Sequence, residues 1–158
     1  MPTPLTVGRH PLAGAVALLF VAILPQVAAA ALGGPETSIA EEAQRLNVSV
    51  KSTELNHYRV HEMQMPSGTV VREFAGTGGT VFAVAWSGPT IPNLREALGQ
   101  YFAAYVSAAQ SKRAGSHTHL EIRQNGWVMQ SNGHMRSFQG RAYLPQALPA
   151  GMAVDEIH

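Results

Sequence analysis

The spacing of hydrophobic positions changes along the chain, and each change marks a new element. An unbroken apolar run from Leu12 to Leu24 comes first. Behind Ser38-Ile39-Ala40-Glu41, which has the Ser-x-x-Glu form of a capping box, Ile39, Ala43 and Leu46 recur at helical spacing. This predicts a short amphipathic helix over 38–46. From Val48 onward β-branched and aromatic residues alternate with polar ones, so Val48 to Ser52, Tyr58 to Met63, Thr69 to Phe74 and Thr80 to Trp86 read as strands. The breaks Glu54-Leu55-Asn56, Pro66-Ser67-Gly68 and Gly76-Thr77-Gly78-Gly79 are too short for a parallel crossover, which makes these strands antiparallel neighbours. Val81 to Trp86 is apolar on both faces, as expected of a central strand covered above and below.

A second capping box, Asn93-Leu94-Arg95-Glu96, precedes Leu94, Leu98, Tyr101, Phe102 and Tyr105, which share one helical face. That broad aromatic face suits packing on the sheet. Gln110 to Ser116 is polar and reads as a loop. Beyond it, Thr118, Leu120 and Ile122 alternate with His117, His119, Glu121 and Arg123. Asn125-Gly126 and Asn132-Gly133 are hairpin signals on either side of Trp127 to Ser131, with His134 to Phe138 following. A three-strand meander results, and the proline-containing tail from Pro145 should run irregularly over the surface. The order is helix, four strands, helix, three strands. It gives an α+β domain on a mainly antiparallel sheet of about seven strands, with one short N-terminal helix and one longer helix packed on the sheet.

The opening segment changes this picture by standing outside the domain. Arg9-His10, the apolar run Leu12 to Leu24, Pro25 and Ala28 to Ala31 follow the n-region, h-region and A-x-A order of a secretory signal. The run is shorter than the roughly 20 helical residues that cross a bilayer. The expected organisation is a cleavable signal peptide over 1–30, cut after Ala30 or Ala31, and a single α+β domain over 31–158. The chain has 158 residues and no cysteine, which excludes disulfides, thiolate metal sites and a lipidated cysteine at the cleavage point. Its 11 Lys+Arg stand against 10 Asp+Glu, and losing Arg9 with the signal leaves 10 against 10. A neutral mature domain gives no electrostatic reason to bind nucleic acid or an anionic membrane. Partners are instead sought among other exported or envelope proteins, with no stable membrane anchor after cleavage.

Three long blocks carry a resemblance. Pro66-Ser67-Gly68-Thr69-Val70-Val71-Arg72-Glu73, then Val81 to Pro89, then Gly133-His134-Met135-Arg136-Ser137-Phe138-Gln139-Gly140-Arg141-Ala142-Tyr143-Leu144-Pro145 resemble the exported proteobacterial family known as domain of unknown function 2844. The start Ala31-Leu32-Gly33-Gly34 is similar too. The resemblance implies a Gram-negative, periplasmic or secreted setting. It implies no activity and transfers no catalytic residue.

Candidate chemistry is sparse. His117-x-His119-x-Glu121 places three potential metal ligands on one strand face, but same-face neighbours lie about 6.6 Å apart, so only an adjacent pair could share an ion about 2 Å away. A third ligand would have to come from His134, His57 or His61. Polar residues on the solvated face of a half-buried strand are the preferred account of the pattern, and no metal or cofactor is assigned. A hydrolase would need a nucleophile, base and acid. Ser67 and Ser87 sit in turns outside any Gly-x-Ser-x-Gly, which leaves His134, with Glu73 or Glu121, as the candidate base region; no catalytic residue is assigned. The densest polar-aromatic cluster is His134, Arg136, Phe138, Arg141 and Tyr143, a candidate contact surface for an anion or peptide. The favoured reading of the cluster is structural, with Arg136 and Arg141 pairing with Glu73 or Glu121 across the sheet and Phe138 and Tyr143 in the core. The leading functional expectation is a non-enzymatic binding or assembly module, ahead of a hydrolase sited near His134 or a histidine metal-binding protein.

Overall fold

The computed structural model describes residues 31–112, 119–124 and 126–158. The expected signal peptide over 1–30, and His117, Thr118 and Asn125, lie outside the described residues. The chain runs α1 (Thr37–Leu46), β1 (Val50–Glu54), β2 (Tyr58–Gln64), β3 (Val70–Gly76), β4 (Val81–Gly88), α2 (Leu94–Leu98), a 3-10 turn, α3 (Phe102–Lys112), β5 (His119–Gln124), β6 (Trp127–His134) and β7 (Ser137–Tyr143). All seven strands join one antiparallel sheet in the order β1-β2-β3-β4-β7-β6-β5. The expected α+β class, strand number and helix placement hold.

β4 is central, as its apolar run requires. The helices cover one face, where Ile39, Met63, Val71, Val84, Trp86, Leu98, Trp127 and Met129 form the larger core. The tail covers the other, with Leu148, Met152, Val154 and Ile157 over Phe74, Phe82, Ala83 and Tyr143. A bulge opposite Phe74 and Ala75 leaves Phe82 without a register partner. Both Phe82 and Ala83 therefore serve the tail-side core, where Phe82 meets Tyr58 edge-on at 6.0 Å between ring centroids.

The segment before α1 is built into the domain. Leu32 donates its N–H to Ala97 O (3.0 Å), Gly33 to Val81 O (2.8 Å), and Val81 returns its own to Gly34 O (2.9 Å). Ala31 and Leu32 are buried. Their passage explains why the helix expected from Leu94 to Tyr105 breaks: at Gly99, which has φ +51°, a side chain would lie 2.6 Å from the Ala31 Cβ. A 3-10 turn over Gly99–Tyr101 bridges the break, and α3 continues to Lys112, three residues into the segment read as a loop.

Two local expectations are corrected. Asn132-Gly133 is not a turn; β6 continues to His134, and Met135-Arg136 turn the chain with positive φ of 40° and 68°. Gly133 serves instead as the flat cross-strand partner of Phe138, whose ring lies where a Cβ would point. At α1 the N-cap is Glu36, and the Ser38 hydroxyl donates back to Pro35 O, so no capping box forms there. Asn93 caps α2 as expected, accepting from the Arg95 N–H at 3.2 Å.

Candidate functional site

Strand parity puts a row of polar side chains under α1. Ser52 of β1 pairs with His61 of β2, and His61 pairs with Glu73 of β3. The same face carries Met63 and Val71, which belong to the helix-side core. Parity therefore drives Glu73 inward, leaving it 2% exposed. Its Oε2 has no hydrogen-bond partner among the described residues. Burial away from water, reinforced by the carboxylate of Glu42 on α1, pushes the Glu73 pKa from its ordinary 4.5 up to about 8. The group is thus mainly a neutral acid at pH 7.

Glu73 lies on a cavity of about 240 Å³ between α1 and α2. Apolar walls come from Leu46, Met65, Val71, Ile91, Pro92 and Ala97, and the carboxyl groups from Glu42, Glu73 and Glu96. Its rim is fastened twice. Arg45 of α1 pairs with Glu96 of α2 at 3.1 Å. Thr69 Oγ1 donates to Thr90 O at 2.8 Å, while the Thr90 hydroxyl donates to Ser67 at 3.0 Å, tying the β2–β3 turn to the approach of α2.

At the sheet edge the row ends in a relay. Ser52 Oγ lies 2.8 Å from His61 Nδ1, and His61 Nε2 lies 2.8 Å from Glu36 Oε1. Arg59 NH2 holds the other oxygen of Glu36 at 2.9 Å. His61 is buried and Ser52 exposed.

The opposite face carries an open groove of about 500 Å³ lined by Arg72, His119, Gln130, Asn132 and Arg141. These side chains already bond to one another or to the tail. Arg141 donates to Gln130 Oε1 and Val154 O at 2.8 Å each, His119 meets Asn132, and Arg72 donates to Glu62 and to His158 O. Hydrogen bonds from Gln130 and Arg123 hold the Glu121 carboxyl below the usual carboxylate range.

A family model described as "Protein of unknown function (DUF2844)" matches residues 28–157. The chain belongs to this family. No curated protein and no solved structure matches it.

In this DUF2844 chain the five residues of the sequence-derived contact surface are not brought together. His134 and Arg136 stand exposed at the β6–β7 hairpin tip, and Phe138 faces the helix side over Gly133. Arg141 points to the tail side, where Tyr143 is buried. Arg141 donates to Gln130, which in turn donates to Glu121 at 3.3 Å, and Glu73 belongs to the helix side. Among the described residues no hydrogen bond joins His134 to a serine or carboxylate, and no three His, Asp or Glu are placed to share a metal ion. Composition alone does not mark Glu73 as a core-facing position. The available signal was its parity with Val71 in a strand whose inward set is otherwise apolar.

Proposed function

We propose that this chain is an exported, periplasmic binding module that takes a small organic amine into the cavity between α1 and α2. The observation that carries the reading is the buried Glu73 carboxyl, which faces the cavity with Oε2 unpartnered among the described residues. A carboxyl kept neutral by burial gains most from a ligand that brings a compensating positive charge. Ionised opposite an ammonium group, Glu73 forms a charge-assisted pair in place of an unmet hydrogen bond. Glu42 and Glu73 bring carboxyl groups to a lining that holds no Lys or Arg, Glu96 being paired with Arg45 at the rim, which favours a cation, and the apolar walls accept a short hydrocarbon body. Binding releases the Glu73 proton below about pH 8. Export is supported by the Arg9, Leu12–Leu24, Ala28–Ala31 order at the N-terminus. No helix of the described residues is long and apolar enough to cross a membrane.

Titration of the full domain with butylammonium at pH 7.5, followed by calorimetry and amide chemical shifts, tests the site. Wild type should bind saturably, with shifts confined to α1, α2 and β3. Glu73→Gln should weaken binding at least tenfold, as should replacing the amine by neutral butanol. Equal affinity of Glu73→Gln and wild type, or equal affinity for butanol, would refute the reading.

A further inference from the structure

We propose that Ser52 is an activated nucleophile, with His61 its general base and Glu36 the positioning carboxylate, and that this relay accepts an acyl group from esters. The proposal goes beyond amine binding and uses neither Glu73 nor the cavity.

Hydrogen-bond bookkeeping fixes the direction of the relay. An ionised carboxylate only accepts, so neutral His61 must donate its Nε2–H to Glu36 across 2.8 Å. Nδ1 is then the unprotonated nitrogen. Its lone pair faces Ser52 Oγ at 2.8 Å and accepts the hydroxyl proton, which is the tautomer a general base needs. Arg59 occupies the second oxygen of Glu36 at 2.9 Å, which keeps that carboxylate from turning away from the imidazole. The three groups come from a register pair on adjacent strands and from the residue capping α1, so rigid elements hold them.

Access is graded in the required sense. The base and its carboxylate are shielded, with side-chain exposures of 11% for His61 and 15% for Glu36, while Ser52 is open to solvent. Among the described residues β1 pairs only with β2, at the end of the strand order, so it is an edge strand. Edge strands present outward N–H groups, the donors available to an oxyanion forming beside Ser52. An exposed serine on an edge strand fits an ester presented on an extended chain or a small activated ester.

In the step proposed, Ser52 Oγ bonds to the ester carbonyl carbon as its proton moves to His61 Nδ1. The carbon–oxygen bond to the leaving alcohol then breaks, and that oxygen takes the proton back from Nδ1. Water repeats the sequence to release the carboxylic acid and regenerate the serine. Glu36 stabilises the transient imidazolium through the Nε2–H bond.

The test is labelling of the full domain with diisopropyl fluorophosphate, which replaces fluoride with the Ser52 oxygen, read by intact mass and peptide mapping. Wild type should form one adduct, mapped to Ser52. Labelling should vanish in Ser52→Ala and slow roughly 100-fold in His61→Gln, the range lost with a general base. Because His61→Gln removes a buried ring, Glu36→Gln is the second variant. It should slow labelling at least tenfold while its thermal melt remains cooperative. Folded wild type with no adduct at Ser52 would overturn the proposal, as would Ser52 labelling at equal rates in wild type and folded Glu36→Gln.

Discussion

Replacing Glu73 with glutamine should flatten the pH dependence of stability. The folded pKa of Glu73, about 8, lies above its unfolded value near 4.5, so the folded state holds this proton more tightly than the unfolded state. A raised carboxyl pKa contributes stability that is full below pH 4.5 and is lost as pH rises to about 8. Each pH unit inside that window removes about 1.4 kcal/mol, so moving from pH 5.5 to 7.5 should cost wild type about 3 kcal/mol. Glutamine keeps the shape and a polar head but cannot ionise, which removes this slope. Urea unfolding followed by the fluorescence of Trp86 and Trp127, both buried, reads the effect. With slopes of roughly 1–3 kcal/mol per molar urea, the wild-type midpoint should fall by about 1–3 M over those two units. The Glu73→Gln midpoint should move far less, leaving the variant the more stable protein at pH 7.5. Parallel pH dependences in the two proteins would refute the reasoning, because some other group would then carry the titration.

Two further outcomes follow from other parts of the molecule. Mass spectrometry of protein recovered from the periplasm of a Gram-negative host should find the chain starting at Ala31 or Leu32; retention of Met1 would defeat the export reading. Arg141→Ala removes the 2.8 Å bonds to Gln130 and to Val154 O, and should cost about 1–3 kcal/mol and speed proteolytic cutting within 145–157. Arg136→Ala at the exposed hairpin tip should stay within about 0.5 kcal/mol of wild type, so equal effects of the two would contradict the placement of Arg141.

Local pattern carried the sheet further than it carried the site. Alternation located the cores of the strands and marked β4 as central, because side-chain parity and burial on two faces are both written in adjacent residues. The β6–β7 turn was misplaced because Asn132-Gly133 has the composition of a turn. The register is set across the sheet instead, where Gly133 must lie beneath Phe138. The break at Gly99 was hidden for a similar reason, since its cause is Ala31, far away along the chain. Of the site, His61 stands out in the sequence only as a possible third metal ligand. Its partners Ser52 and Glu36 come from the next strand and from the cap of α1, and no spacing rule links them. The cluster around Arg136 and Arg141 dispersed because a two-residue turn at Met135-Arg136 resets parity between His134 and Phe138.

The two ends of the described chain also bear on how fast the fold can be reached. Gly33 and Gly34 bond to β4 at Val81, and Ile157 closes the core beneath Ala83 and Ala85 on its other face. The middle strand is complete only when segments on either side of it, tens of residues away, have both arrived. Such pairings must offset loop-closure entropy before they stabilise anything, so the middle strand is completed after the local hairpins on either side of it. A ribosome-bound chain cannot finish its second core until Ile157 has emerged.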